Sequence, residues 1–248
     1  MAAFSLIAEE VWRAQLEGAG VLQDSSGLLV AVRADLAEDR RLTVLERTDS
    51  ATVLLTPELA ERLALPSAVD LSLTGFRAVL ADAAITLHGA DAVHYFAEDA
   101  RPSLLSETAP PGIRLLTADD LEAFAIFQAT ASEQDVADAD VELDHSAVAG
   151  AFAGDRLVCA ASAYPWGDSL VADIGVLTLA DQRGRGLARA VVRELARCVL
   201  DRGFEPQYAR SSITPVPAPS LPPRGCAGSA TGTPSLPALR RLPLAALG

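Results

Sequence analysis

The sequence predicts an α/β protein of two units, in which a mixed sheet flanked by helices follows a smaller α/β unit. Three observations predict this. Residues 147–179 hold three apolar runs separated by turns at 154–155 and 165–168, a pattern typical of antiparallel strands. The third run leads into a glycine turn and an amphipathic helix that ends at Gly203. Prolines between residues 100 and 112 indicate a linker.

The N-terminal unit, residues 1–107, is predicted to mix helices with short strands. A helix spans 6–16 and ends at Gly18. A second, short helix follows Thr56 and Pro57, because the hydroxyl can cap the helix and proline suits its first position. The other predicted elements are strands at 27–33, 41–45, 52–55 and 91–96 and a helix at 75–83.

The linker is placed at 108–112, and the second unit at 113–210. A strand at 113–116 is followed by a helix whose start carries Thr117 and Asp120 at capping-box spacing. The other predicted elements are strands at 147–153, 156–164, 169–179 and 205–211 and a helix at 186–201. The resulting order is strand, helices, three antiparallel strands, helix, strand.

The last segment, 211–248, differs from the rest in composition. It contains 8 prolines and no aspartate or glutamate. All 20 basic residues of the chain are arginines, which indicates GC-rich coding DNA, and such codons read out of register give this kind of tail. A shifted frame over 212–235 can encode a helix followed by an aromatic strand. The tail is therefore predicted to be irregular and out of frame, with a functional disordered tail as the alternative.

Composition limits the classes of function. The formal net charge of −13 disfavours nucleic acid and anionic membranes as partners. No apolar run approaches the roughly 20 residues that span a bilayer, and the N-terminus carries acids where a signal peptide carries bases, so we expect a cytoplasmic protein. Cys159, Cys198 and Cys226 are widely spaced, and neither a disulfide framework nor a metal site is indicated.

The glycine turn, Arg183-Gly184-Arg185-Gly186-Leu187-Ala188, suits an anionic ligand. Its glycines allow close backbone approach, and the N–H groups that begin the next helix point toward such a ligand. A P-loop is excluded because the chain has no lysine. The dinucleotide pattern G-x-G-x-x-G is broken by Arg189. A strand-to-helix connection that merely uses glycines is the alternative.

The pattern Arg-x-x-Gly-x-Ala at Arg183, Gly186 and Ala188 resembles the acyl-CoA-binding motif of the GNAT superfamily of N-acyltransferases. The order of elements over 113–210 also resembles the GNAT core. The resemblance implies that the strand before the turn splays from its neighbour and binds the pantetheine arm through backbone groups. It assigns Val176, Leu177 and Thr178 to the arm, and Arg183, Gly184, Arg185, Gly186, Leu187 and Ala188 to the pyrophosphate.

The implied reaction moves an acetyl group from acetyl-CoA to a primary amine by direct attack in a ternary complex. The amine must lose a proton, so a base is needed. Glu142 stands with Asp144 and His145 just before a strand, near where acceptors enter this fold, although a solvated acidic loop would look the same. Asp173 would act as a base if it points into the cleft. Tyr208 is the candidate proton donor to the leaving thiolate.

Other interpretations stay open at this point. The chain could be a catalytically inactive CoA-binding regulatory module, or the product of a disrupted gene. The N-terminal unit could be a degenerate acyltransferase-like fold, an acceptor-positioning domain or the surface of a homodimer. Tyr164 and Trp166 are more typical of packing than of acceptor contacts. The acidic charge weakly favours a cationic amine.

Overall fold

The computed structural model describes residues 4–25, 27–37, 41–65, 70–87, 90–211 and 242–246. The chain divides into two units. The first, called here the site unit, combines residues 1–15 with 94–209. The second, the companion unit, combines residues 16–93 with 210–248. This division differs from the predicted boundary at 108–112.

The difference arises at both ends of the predicted N-terminal unit. The first helix, α1 (Leu6–Ala14), belongs to the site unit, where its buried Trp12 donates a hydrogen bond to the Tyr95 hydroxyl at 2.8 Å. At the other end of the predicted N-terminal unit, just before the predicted linker, lies a short helix, α4 (Arg101–Ser106), whose Leu104 is fully buried beside Ala196. Long-range packing of this kind leaves no sign in local sequence pattern.

The companion unit contains strands and two helices around an aliphatic core. Its strands are β1 (Gly20–Ser25), β2 (Leu28–Val32), β3 (Leu42–Glu46), β4 (Ala51–Leu55) and most of β5 (Asp91–Tyr95). Its helices are α2 (Pro57–Arg62), capped by Thr56 as predicted, and α3 (Leu73–Asp82). β2 pairs in parallel with β4, whereas β1 with β2 and β3 with β4 are antiparallel. β1 was not predicted.

The tail prediction is partly wrong. Residues 212–241 and 247–248 lie outside the described residues, so the out-of-frame hypothesis for them stays a prediction. Leu242–Ala246, however, forms strand β11, which pairs antiparallel with both β3 and β5. One short extended segment thus pairs with the backbone N–H and carbonyl groups along an edge of β3 and an edge of β5.

The sheet of the site unit follows the predicted order. Its strands are β6 (Ile113–Leu115), β7 (Ala147–Ala153), β8 (Arg156–Pro165), β9 (Val171–Thr178) and β10 (Glu205–Ser211). Strands β6 to β9 are successively antiparallel, and β10 lies parallel to β9. The prediction of a mixed sheet flanked by helices is confirmed.

Helices cover both faces of this sheet. Every residue of β8 from Leu157 to Ala163 is buried, which requires cover on both sides because successive side chains point to opposite faces. The covering helices are α5 (Leu121–Thr130), α6 (Glu133–Ala139) and α7 (Leu187–Asp201). The Thr117–Asp120 capping box forms as predicted, at a 3₁₀ turn before α5. No helix of the described residues is both long and apolar enough to cross a bilayer.

Candidate functional site

The central feature of the site is the separation of β9 from β10. Over the described residues, the two strands pair only where Glu205–Gln207 lie beside Val171–Asp173. The five remaining residues of β9, Ile174–Thr178, run on beside β8 alone. The predicted splay therefore exists, and we call the opening between the two strands the slot.

Backbone alternation decides which residues of β9 face the slot. The Leu179 N–H donates to Val158 and the Val171 carbonyl accepts from Trp166, so odd-numbered residues direct their backbone groups toward β8. The Leu170 carbonyl accepts from Glu205 of β10 at 2.7 Å, so even-numbered residues face the opposite way. Of the three residues assigned to the arm, Val176 and Thr178 face the slot.

Leu177 does not fit its predicted role. Its backbone groups face β8, where it lies opposite Ala160, and its side chain is buried. The sequence motif identified the strand but not which of its alternate residues face the slot. A shift of one residue exchanges the residues that face one edge of a strand with those that face the other.

The glycine turn leads from the slot to the start of α7. Gly184 and Gly186 both have φ of +78°, a left-handed conformation that favours glycine, and both lie in open space. Gly186 is the N-cap of α7, and no side chain caps this helix. The Ala190 N–H donates to the Gly186 carbonyl at 3.2 Å, so the N–H groups of Leu187 and Ala188 lie before the helical hydrogen bonds begin. This end of α7 is suited to an anion.

The arginines of the turn differ in their surroundings. The Arg183 guanidinium donates to Asp135 at 2.7 Å and to the Thr178 carbonyl at 3.2 Å. It thereby ties the turn to α6 and to β9. Arg185 is exposed, and no acidic side chain within the described ranges forms an ion pair with it. Arg185 is thus the better placed of the two to contact an anion with its side chain.

Asp173 lies at the mouth of the slot, in the last residue pair before the strands separate. It is opposite Gln207 of β10 and opposite Tyr164 of β8. Residues directly opposite each other share a face of the sheet, and so do alternate residues of one strand. Tyr164, Ser162 and Gly175 therefore lie on the same side as Asp173, which we call the Asp173 face.

Polar groups from the segment after α6 meet this face. His145 Nδ1 lies 2.8 Å from the Ser162 hydroxyl, and its ring contacts the Tyr164 ring at 4.8 Å between centroids. Burial, the charge of Asp173 and a hydrogen bond with Asp140 raise the pKa of Tyr164 to about 12. Tyr164 is therefore a neutral phenol, able to donate a proton, over the whole physiological range.

Glu142 also belongs to this region. Its N–H donates to the Ser162 hydroxyl at 3.3 Å, and its exposed carboxylate accepts from Gln128 at 3.4 Å. Asp144 is exposed to solvent. The structure thus places Glu142 and Asp173, the two predicted base candidates, at one face of the sheet.

Close packing at Gly175 holds this segment against β9. A Cβ atom on Gly175 would overlap the Ala139 carbonyl oxygen and lie 2.8 Å from that of Asp140. Asp140 ends α6 in a left-handed conformation with φ of 47°. Sequence analysis overlooked Gly175, because a glycine inside a strand gives only a weak sign of close backbone approach.

Tyr208 points to the face opposite Asp173. It follows Gln207 on β10, so the two side chains alternate, and the Tyr208 ring lies 6.2 Å from that of His94. The predicted acid and base are therefore on different sides of the sheet. Trp166 packs against Trp12 at 5.4 Å between centroids. No group of His, Cys, Asp and Glu in the described part of the chain could hold a metal ion.

Comparisons with known proteins find likeness in fold only. No family model and no curated protein matches the chain. A GNAT-family acetyltransferase structure from Novosphingobium aromaticivorans is 18% identical over 52% of this chain and 54% of that chain, with a TM-score of 0.37. An acetyltransferase of the GNAT family from Colwellia psychrerythraea is 16% identical over 64% and 66%, with a TM-score of 0.43.

A GCN5-related N-acetyltransferase from Kribbella flavida is similar over a larger share of both chains than these two structures are. It is 16% identical over 99% of this chain and 97% of that chain, with a TM-score of 0.44. This chain thus spans about half of the Novosphingobium protein but nearly all of the Kribbella protein.

Proposed function

We propose that the protein is an acyl-CoA-dependent N-acyltransferase that moves an acetyl group from acetyl-CoA to a primary amine. One observation carries this proposal: a slot between two parallel strands leads directly to a glycine turn and an uncapped helix start. An extended amide-containing arm matches the first feature, and a pyrophosphate matches the second. Acetyl-CoA joins these two chemical groups in one molecule.

The residues present fit such a molecule. Val176 directs its backbone N–H and carbonyl into the slot, where the amides of an extended arm can pair with them. The N–H groups of Leu187 and Ala188 and the side chain of Arg185 suit the pyrophosphate. The glycines leave open space there, so that no side chain blocks the anion.

The reaction requires little beyond positioning. The amine nitrogen attacks the thioester carbonyl carbon, the carbon–sulfur bond breaks, the amine proton passes to a base, and the thiolate leaves and takes up a proton. Holding the two reactants in line can supply most of the acceleration. We assign the base to Asp173, because it lies where the slot opens. Glu142 is the second candidate and is more exposed.

Two phenols are candidates for returning a proton to the thiolate. Tyr208 is the first residue of β10 beyond the paired segment. Tyr164 faces Asp173 and stays protonated because its pKa is raised to about 12. The side of the sheet on which the sulfur leaves decides between them. Substituting each with phenylalanine and comparing kcat separates the two roles.

Release of free CoA thiol tests the proposal. The full chain is incubated with acetyl-CoA and a panel of primary amines that includes polyamines, amino sugars and peptide N-termini, and a blank without acetyl-CoA corrects for the protein's cysteines. Amine-dependent thiol release supports the proposal. Acetyl-CoA binding without thiol release over the panel would instead indicate a CoA-binding regulatory module.

A further inference from the structure

A buried chain of hydrogen bonds ends on the proposed base. Trp12 Nε1 donates to the Tyr95 hydroxyl at 2.8 Å, the Tyr95 hydroxyl donates to Gln207 Oε1, and Gln207 Nε2 donates to Asp173 Oδ1 at 3.3 Å. The exposed fractions of Trp12, Tyr95 and Gln207 are 7%, 1% and 3%. The three residues come from α1, β5 and β10, and all belong to the site unit.

The two ends of the chain agree with this direction. An ionised carboxylate can only accept, so it pairs with the NH₂ end of the Gln207 amide, and the carbonyl end is left to accept from the Tyr95 hydroxyl. An indole N–H can only donate, so the Tyr95 oxygen accepts from Trp12. A donor directed at a carboxylate stabilises the charged form of that carboxylate. An ionised carboxylate is the form that can accept a proton.

We propose that Gln207 is a positioning residue that holds the Asp173 carboxylate ionised and aimed at the mouth of the slot. This inference rests on the proposed function, with Asp173 as the base. Gln207 is opposite Asp173 in the last residue pair before β9 and β10 separate. Tyr95 and Trp12 act one step further away, by fixing which end of the Gln207 amide faces the base.

The charged and titratable side chains around Asp173 show why the Gln207 amide matters for its ionisation. Tyr164 of β8 faces it directly, and Asp140 at the end of α6 bonds to Tyr164. Glu205, two residues before Gln207 on the same face of β10, is fully buried and is paired with Arg101. The charged residues of α1, Glu9, Glu10 and Arg13, are exposed to solvent. Asp140 adds negative charge, which disfavours ionisation of a second carboxylate. The Gln207 amide opposes that effect.

The test compares Gln207→Met, Gln207→Glu and Tyr95→Phe with the parent chain. Met keeps the bulk but removes the donor, so the pKa of Asp173 should rise by about one pH unit, the value of one lost hydrogen bond to a charged group. Glu adds a negative charge and should raise that pKa further. Tyr95→Phe removes the hydroxyl that holds the Gln207 carbonyl end, so the Gln207 amide can flip. This variant should also raise the pKa of Asp173, but by less.

Two measurements keep the inference distinct from the proposed function. Carboxyl NMR, with the Asp173 signal identified by its loss in Asp173→Asn, reports the pKa without any need for activity. The acidic limb of kcat/KM for the amine should move by the same amount, while the KM for acetyl-CoA stays constant. An inactive parent chain would refute the proposed function, and the NMR titration would still decide the role of Gln207.

An unchanged Asp173 pKa in Gln207→Met would overturn the inference, and Gln207 would then only satisfy buried polar groups. A folded Gln207→Met with lower thermal stability and an unchanged pH profile would lead to the same conclusion. If Gln207→Met fails to fold, Tyr95→Phe answers the question, because it leaves the glutamine in place. A parental pKa in a folded Tyr95→Phe would then overturn the inference.

Discussion

Asp173 differs from the other carboxylates on its face of the sheet in where it lies, not in its chemical group. Asp173 lies in the last pair before the slot, whereas Glu142 is exposed beside Gln128. Asp173→Asn should therefore lower kcat by about 10²–10⁴ with little change in the affinity for acetyl-CoA. Glu142→Gln should change kcat far less. Steady-state rates and binding titrations measure both quantities.

Asp144→Asn is the matched control for these variants, because Asp144 is an exposed acid two residues after Glu142. It should behave like the parent chain. A larger loss of kcat in Glu142→Gln than in Asp173→Asn would transfer the role of base to Glu142. Parental activity in both variants at every pH would leave deprotonation to water or to the substrate.

Tyr164 reports the charge at Asp173. Burial, the charge of Asp173 and Asp140 together raise the pKa of Tyr164 to about 12, so removing the Asp173 charge should lower that pKa toward 10.0, the ordinary value for tyrosine. Absorbance titration of tyrosinate, with Tyr164→Phe to identify the signal, should show the lower pKa in Asp173→Asn. An identical Tyr164 titration in both chains would mean that Asp173 is neutral or distant.

At the scale of elements, α5 begins at a charged capping box. Arg114 donates to both Asp120 oxygens, at 2.8 Å and 2.5 Å, and this pairing, with the Thr117 N–H, lowers the Asp120 pKa from 3.8 to about 2. Because the pKa of Asp120 is lower in the folded state than in the unfolded state, this carboxylate stabilises the folded protein at pH values above its unfolded-state pKa. Asp120→Asn should therefore cost about 1–2 kcal/mol at neutral pH.

That cost should shrink as the pH falls. The contribution is complete near neutrality, declines from about pH 4 as the unfolded chain takes up protons, and is lost by about pH 2. Urea midpoints at several pH values measure it. Asp119→Asn is the control, since the Asp119 side chain is exposed and Arg114 pairs with Asp120 instead. Equal midpoints for Asp120→Asn and the parent chain at neutral pH would contradict the assignment.

The approach of α6 to β9 depends on Gly175. In Gly175→Ala the new Cβ would meet the backbone carbonyls of Ala139 and Asp140, which cannot rotate away as a side chain can. We expect a loss of about 2–3 kcal/mol in the free energy of unfolding. Gly20→Ala is the control, because its Cβ would meet only the Val32 side chain at 3.3 Å. Similar losses in the two variants would show that close packing at Gly175 is unimportant.

Many features of the helices, strands and turns can be predicted from the sequence. The order of elements along the chain, the Thr117–Asp120 box and the left-handed glycines at 184 and 186 each depend on neighbouring residues only. Partners distant in sequence could not be predicted. Arg183 contacts Asp135 of α6 across 48 positions, which depends on how the helix packs. Asp173 contacts Gln207 across 34 positions, which depends on the register of the sheet.

At the scale of the whole molecule, the division into units separates neighbours in sequence and joins distant segments. Residues 1–15 belong with 94–209, and α1 contributes Trp12 to the chain of hydrogen bonds that reaches Asp173. A truncation at the predicted boundary of 108–112 would remove Trp12 and Tyr95 from the site unit. Functional tests should therefore use the full chain.

Isothermal titration of the full chain with acetyl-CoA measures whether the slot and the glycine turn bind this molecule. The parent chain should bind about one molecule, and Gly186→Glu should lose binding, because it places a negative side chain at the uncapped start of α7. Gly167→Glu is the matched control, since Gly167 also has positive φ and open space but lies at the other end of β9. It should bind like the parent. Absence of binding by a folded parent chain, or equal binding by Gly186→Glu, would show that the slot and the glycine turn are not an acetyl-CoA site.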